Sequence, residues 1–317
     1  MKDKQGFTLL ELLIVIGIIA VLGAVMLAQF SGSSDSALAA TCMNNMRTLC
    51  NAVMADGARE GRYPSAGTYE YYTEGKDDGE GKTKTNYRQG WIGSASTKGN
   101  EKVSCYHDGG DKGEAQYHAI TNGSIWRTMS GQAGAYVCPA HTKYCKQQKK
   151  PTPSWSYAMN SYFGWDNGKV AADVEIGRRS YGSGYISFSY TSAPESRKRP
   201  LEKVLLFAEI PYMENGVQKP EWSTAAGKEN DAILQYPPGS DENKKANKAG
   251  DGAGEIIGFN HKSGKFYCAH VAFADGHCVK LLLPDRASAD NLKELTTWLC
   301  TGVEYTFNGS QYEKVSE

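Results

Sequence analysis

Residues 12–28 form an unbroken run of 17 apolar positions without a charge or a polar side chain. At about 1.5 Å per residue, a helix over this run covers roughly 25 Å, close to the ~30 Å hydrocarbon core of a bilayer. Extending the helix over residues 7–30 closes the gap. Residues 31–36 are then small and polar, with Gly32 able to bend or loosen a helix. Leu38, Cys42, Met46, Leu49 and Val53 follow at spacings of four and three. That period predicts the second half of the same helix, now amphipathic and packed on a globular head. Asn44, Asn45, Arg47 and Asn51 fall on its other faces. The helix is expected to end near Gly57 or Gly61, ahead of Arg62-Tyr63-Pro64, because proline disfavours helix in the residue before it.

Beyond residue 62 the patterns are shorter. Residues 74–84 and 237–254 are rich in Gly, Asp, Lys and other polar residues and read as solvent loops. Residues 122–130 predict a short helix with Ile125 and Trp126 inward, residues 135–138 a strand, and 151–153 a turn. Residues 154–163 and 184–191 suit half-buried strands, and 204–210 a buried one. Residues 266–274 and 277–283 flank Asp275-Gly276 and predict a hairpin on a two-residue turn. A helix is expected over 291–300, stopped by Gly302, and a second hairpin of the same kind at Asn308-Gly309. The fold class is therefore α+β: a long N-terminal helix lying on an antiparallel sheet.

Two lysines, Lys2 and Lys4, precede the apolar run, which predicts a cytoplasmic N-terminus and an exported head. A cleaved secretory signal fits less well. The run exceeds the usual length of such a segment, and the small-x-small site Ala37-Leu38-Ala39 lies about ten residues past its end. Glu11 is the informative position. An ionised carboxylate within a spanning helix costs about 2.5–3.5 kcal/mol at mid-bilayer, so a partner charge is expected. Cleavage between Gly6 and Phe7 would supply one, since the new α-amino group lies about one turn from Glu11. The amine of a neighbouring copy would serve equally, and would make Glu11 a register device.

The segment Lys4-Gln5-Gly6-Phe7-Thr8-Leu9-Leu10-Glu11-Leu12 resembles the cleavage and N-methylation motif of type IV pilins and type II secretion pseudopilins. The resemblance implies a prepilin peptidase that cuts after Gly6 and methylates Phe7, with Glu11 as the assembly residue. It also implies other pilin or pseudopilin subunits and an inner-membrane assembly platform as partners. The expected organisation is a leader at 1–6, a transmembrane helix at 7–30, its amphipathic continuation at 31–61, and a periplasmic or surface head at 62–317. Gly61-Arg62-Tyr63-Pro64-Ser65 is similar to the helix-to-loop junction of major pseudopilins. Cys138-Pro139-Ala140-His141, Ser156-Tyr157-Ala158-Met159-Asn160 and Phe273-Ala274-Asp275-Gly276-His277 resemble large pseudopilin-like chains that carry a His-x9-Asp-Gly segment. This sequence departs from that spacing: thirteen residues separate His261 from Asp275, and four separate His270 from it.

Composition narrows the chemistry. The 317 residues carry no net formal charge, and no basic stripe with interleaved aromatics is present, which argues against nucleic-acid binding. Eight cysteines, an even number, fit an oxidising compartment. Cys138-x2-His141-x3-Cys145 offers three potential metal ligands, with Cys105-x-His107 as a source of a fourth. A local Cys138–Cys145 disulfide is the preferred reading, and no metal or cofactor is expected. A two-residue turn would put His270 and His277 on one sheet face beside Asp275, and Cys268 opposite Cys278; structural histidines are preferred there to a metal pair. Asp166-Asn167-Gly168 reads as a turn without the spaced acids of a calcium loop. No nucleophile with a recognisable base is evident, so an enzyme is not expected. The function that follows is a filament subunit, a secretion pseudopilin first and a type IV pilus minor subunit or adhesin second. A membrane-tethered binding or enzymatic domain ranks third.

Overall fold

The apolar and the amphipathic patterns become one continuous helix, α1 (Leu9–Glu60), in the computed structural model. The structure describes residues 9–60, 63–64, 66, 69–74, 84–93, 106–107, 119–150, 152–160, 163, 200–213, 232–234 and 256–315. The helix runs through residues 31–36 without a break. Serine lies only a few tenths of a kcal/mol below the best helix formers, so helix propagation carries a short weak stretch between strong ones. Every large apolar side chain described between Leu9 and Leu22 is at least 45% exposed. The second half behaves oppositely: Cys42, Met46, Leu49 and Val53 are completely buried, joined by Cys50. Among the described residues no helix is long and apolar enough to cross a membrane.

After α1 come a hairpin of β1 (Tyr69–Glu74) and β2 (Lys84–Gln89), the short β3 (Tyr106–His107), helix α2 (Pro139–Gln147), and β4 (Thr152–Pro153), which pairs with β3. The central sheet is built from β5 (Tyr157–Asn160), β6 (Leu205–Glu209), β7 (Ile233–Leu234), β8 (His261–Ser263), β9 (Phe266–Phe273) and β10 (Cys278–Leu282). Its order is β10-β9-β6-β5-β7, with β8 also on β9. All pairings are antiparallel except β5 with β7. Helix α3 (Ala289–Thr301) and a last hairpin, β11 (Tyr305–Phe307) and β12 (Tyr312–Lys314), complete the chain. Ser288 caps α3 by accepting from the Asn291 N–H, and Gly302, at φ 71°, ends it as expected.

The sheet is the floor on which α1 lies. Strand β9 is long enough for two shorter strands to share one of its edges. Residues 266–268 pair with β8, and residues 271–273 pair with β6. Gly258 makes this possible: its N–H donates to Glu209 O at 2.7 Å, and a Cβ there would lie 2.4 Å from Ile210 O. Phe207 then packs edge-on to Trp91, which stacks on Tyr136.

Several expectations are corrected. Residues 122–131 form a run of turns, although Ile125 is fully buried as expected. A 3-10 turn, Ala133–Tyr136, replaces the strand expected at 135–138, and Thr152–Pro153 is a short strand. The hairpin between β9 and β10 has a three-residue loop rather than a two-residue turn, so Cys278 pairs with Ala272, and the N–H of Phe273 donates to His277 O. Gly276, at φ 89°, takes the left-handed position that such a loop needs. The β11–β12 connection spans four residues, with Asn308 Oδ1 accepting from the N–H groups of Ser310 and Gln311. Of the loop expected at 74–84, Glu74 and Lys84 are strand ends, and its other residues, the loop at 237–254 and the strand at 184–191 lie outside the described residues.

Candidate functional site

Four side chains that the linear sequence holds far apart meet between α1 and the sheet. Cys42 comes from the buried face of α1, and Cys138 occupies the position just before α2. Glu209 is the last residue of β6, and His261 is the first of β8. Strands β6 and β8 follow one another along the same edge of β9, so the end of one faces the start of the other across residues 269–270. Alternation does the rest: Glu209, His261 and His270 all point to the side covered by α1.

The cluster is fully enclosed and closely spaced. The ligand atoms of Cys42, Cys138, Glu209 and His261 all lie within 4.8 Å of one another. The Cys42 thiol donates to Glu209 Oε1 at 2.7 Å. His261 Nε2 sits 2.9 Å from the same oxygen and 3.5 Å from Cys138 Sγ. An outer ring supports these four. His270 Nδ1 is 3.0 Å from Glu209 Oε1, and Asn260 Nδ2 donates to Glu209 Oε2 at 3.2 Å. The Tyr157 hydroxyl donates to Cys42 Sγ at 3.3 Å, and the Tyr212 hydroxyl lies 4.0 Å from Cys138 Sγ.

Electrostatics follows from burial set against close partners. Burial pushes the Glu209 carboxyl upward, but the His261 charge and the hydrogen bonds from His261 and His270 outweigh it and hold the carboxyl well below its usual range. Burial lowers His261, yet Glu209 and the bond to Cys138 raise it to about 11. Cys138 is lowered to about 6: burial opposes the change, and hydrogen bonds from Cys42 and His261 drive it. Cys42 is raised well above the ordinary thiol range, first by burial and then by its acidic neighbours. The result is a buried set of mixed charge with two sulfurs, one imidazole and one carboxylate.

The sequence-level candidates are distributed differently. Of Cys138, His141 and Cys145, only Cys138 joins the cluster. His141 is fully buried, stacks on Tyr212 at 4.0 Å between centroids, and places Nδ1 2.9 Å from Ser156 Oγ. Cys145 is buried and free, and so is Cys138; the expected disulfide is not formed. The residues between them build α2, and seven helical steps span about 10 Å, beyond the ~7 Å limit for bridged Cα atoms. All seven described cysteines are free. His270 and His277 fall on opposite faces because of the longer hairpin loop. His277 is part-exposed, 2.6 Å from Asp275 Oδ1 and stacked on Phe273. The same register puts Cys268 and Cys278 on one face, four positions apart, still too far to bridge. Gly6, Phe7, Cys105 and residues 166–168 lie outside the described residues. Glu11 falls within α1.

Sequence reading missed Glu209, the place of Cys42 in the cluster and the part played by His261. One signal was available: Glu209 is the lone acid in the otherwise apolar stretch from Val204 to Ile210. A charge there needs a partner.

The chain thus joins an α+β head to a long helix whose described large apolar side chains from Leu9 to Leu22 are exposed. Residues 1–27 match the family model of the prokaryotic N-terminal methylation motif, the signature of type IV pilins and pseudopilins. No curated protein and no solved structure matches the chain significantly. The motif implies processing by prepilin peptidase and assembly with other pilin-type subunits.

Proposed function

We propose that the chain is a structural subunit of a pilin-like filament, most specifically a type II secretion pseudopilin. The observation that carries this reading is the apolar stretch Leu9–Leu22, exposed along a helix whose other half is locked into the head and led by the methylation motif. A patch of this kind on a soluble surface marks an interaction site. Before assembly, residues 12–28 anchor the precursor in the inner membrane with its N-terminus cytoplasmic. Cleavage after Gly6 and methylation of Phe7 follow, and α1 then packs against the α1 helices of neighbours while the head lies outside. The reading assigns no reaction to the chain. The large head supports a specialised subunit rather than a major one, and Gly61-Arg62-Tyr63-Pro64-Ser65 supports the secretion assignment over a pilus.

Glu11 tests the proposal. Removing a charge from the apolar segment eases insertion. Glu11→Ala is therefore expected to leave membrane-fraction levels unchanged and to abolish crosslinking into multimers. Intact mass of the wild-type protein should show loss of residues 1–6 and one added methyl group. Normal multimers from Glu11→Ala, or a mature N-terminus at Met1, would overturn the assignment.

A further inference from the structure

We propose that Cys42, Cys138, Glu209 and His261 form a structural site for a single divalent transition ion of the zinc type, which clamps α1 to the head. The inference rests on the geometry of the cluster and is independent of the filament reading.

The donor set comes first. Two thiol sulfurs, an imidazole and a carboxylate are the ligands that suit zinc, while calcium and magnesium take oxygen. Tetrahedral zinc with these ligands needs donor atoms about 3.3–3.8 Å apart. The four atoms here are all within 4.8 Å, with individual contacts of 2.7, 2.9 and 3.5 Å. They bracket the required edge, so small side-chain adjustments admit an ion.

The thiols decide against a plain hydrogen-bond network. A thiol is a weak donor, and a buried carboxylate that needed only to be satisfied is served better by a hydroxyl or an amide. Glu209 already has such partners in Asn260 and His270. Two converging sulfurs add little as hydrogen-bond groups, whereas as ligands they supply most of a metal site.

The outer ring has the form that orients metal ligands. Asn260 and His270 fix the carboxylate, and Tyr157 donates to Cys42 Sγ. All four ligands are completely or almost completely buried. No position is left for a substrate, so the site is structural rather than catalytic. Its ligands come from α1, the start of α2, β6 and β8, so one ion ties four separate elements together.

Binding is a proton exchange. Two thiols and one imidazole must present lone pairs, and whichever of Cys138 and His261 holds their shared proton, a divalent ion displaces two protons in all. The charge of the cluster is the same before and after.

Because the ligands are enclosed, the ion enters as the head folds. The test is therefore refolding of the full chain in detergent under reducing conditions with one equivalent of Zn²⁺, followed by dialysis against a chelator and elemental analysis. About one zinc per chain is expected, retained by Cys145→Ser, whose thiol lies outside the cluster, and lost from Cys42→Ser and Cys138→Ser. Those two variants can fail for reasons of folding alone, so the wild-type chain refolded with Co²⁺ gives a second readout. Tetrahedral visible bands with a thiolate-to-cobalt charge-transfer band are expected. Three results would overturn the proposal: no retained zinc in the refolded wild type, an octahedral cobalt spectrum without charge transfer, or a Cys42–Cys138 disulfide in peptide maps of the native protein.

Discussion

From Leu9 to Leu22 the described large apolar side chains of α1 are exposed, whereas on the same helix Cys42, Met46, Leu49, Cys50 and Val53 are completely buried. Among the described residues, the large apolar side chains of the first stretch stay exposed on the subunit. The second half packs on β6, β8, β9 and β10, and it is held there by polar contacts as well: Asn45 Nδ2 donates to Val137 O at 2.9 Å, and Lys143 pairs with Asp35 at 3.1 Å. One helix therefore does two jobs. Apolar surface in its second half stabilises the head, and on the proposed reading the exposed apolar surface from Leu9 to Leu22 serves contacts outside the chain. Substitutions in the two halves should separate these jobs, because sites far apart with no shared partner contribute independently.

The largest effect on the folded head is expected from Leu49→Ala. Leu49 is fully enclosed, and removing a buried leucine leaves a cavity that costs about 2–5 kcal/mol. Thermal unfolding of the purified chain, followed by near-ultraviolet circular dichroism, should show a drop of several degrees or more in Tm. An unchanged Tm would mean that this half of α1 does not form part of the head's core.

The division within α1 was legible in the sequence because each half writes its own local pattern. An uninterrupted apolar run and a three-and-four period are both read from neighbours in the chain. Strands β6, β9 and β10, helix α3 and its Gly302 stop were legible for the same reason. The hairpin loop was not: Asp275-Gly276 fits a two-residue turn, but the longer loop lets the His277 ring stack on Phe273, with centroids 4.5 Å apart. That is a gain from packing, which overrides local turn chemistry. The cluster of Cys42, Cys138, Glu209 and His261 was the least legible, since Glu209 and His261 are brought together by two strands sharing one edge of β9, and Cys42 and Cys138 by α1 and the start of α2 packing over that edge. The tempting local spacing, Cys138 to Cys145, became helix α2 and drew its sulfurs apart.

A smaller effect, visible only against pH, is expected at His141 in α2. Burial lowers its folded pKa from 6.5 to about 3, so the folded protein keeps the ring neutral where the unfolded chain protonates it. The stability this residue allows is fully present above pH 6.5. It is lost as pH falls through the window from 6.5 towards 3, at no more than about 1.4 kcal/mol per pH unit. His141→Gln keeps a side chain able to reach Ser156 but cannot titrate. The Tm-versus-pH curve of wild type should therefore fall more steeply below pH 6.5 than that of the variant. The Glu209–His261 pair is present in both proteins, so the difference between the curves isolates His141. Parallel curves would show that the ring is protonated, or exposed, in the folded state.

The smallest effect on the subunit itself is expected from Ile16→Ala, and it is the sharpest test of the division within α1. Ile16 is 57% exposed on the first half of the helix, with no role in the head's core. Alanine is the better helix former, so the backbone loses nothing from the exchange. Exposed positions of this kind change stability by about 0.5 kcal/mol or less. The Tm of the purified chain should therefore match wild type, and its slope below pH 6.5 should match as well. On the proposed filament reading the same side chain would be buried between helices, and its loss would remove packing area on every subunit. Crosslinked multimers should then decrease although the head is intact. If Ile16→Ala lowers the Tm as Leu49→Ala does, the first half of α1 is bound to its own head and is not free for neighbours. If it changes neither Tm nor multimer yield, the exposed apolar face lies away from any contact between subunits.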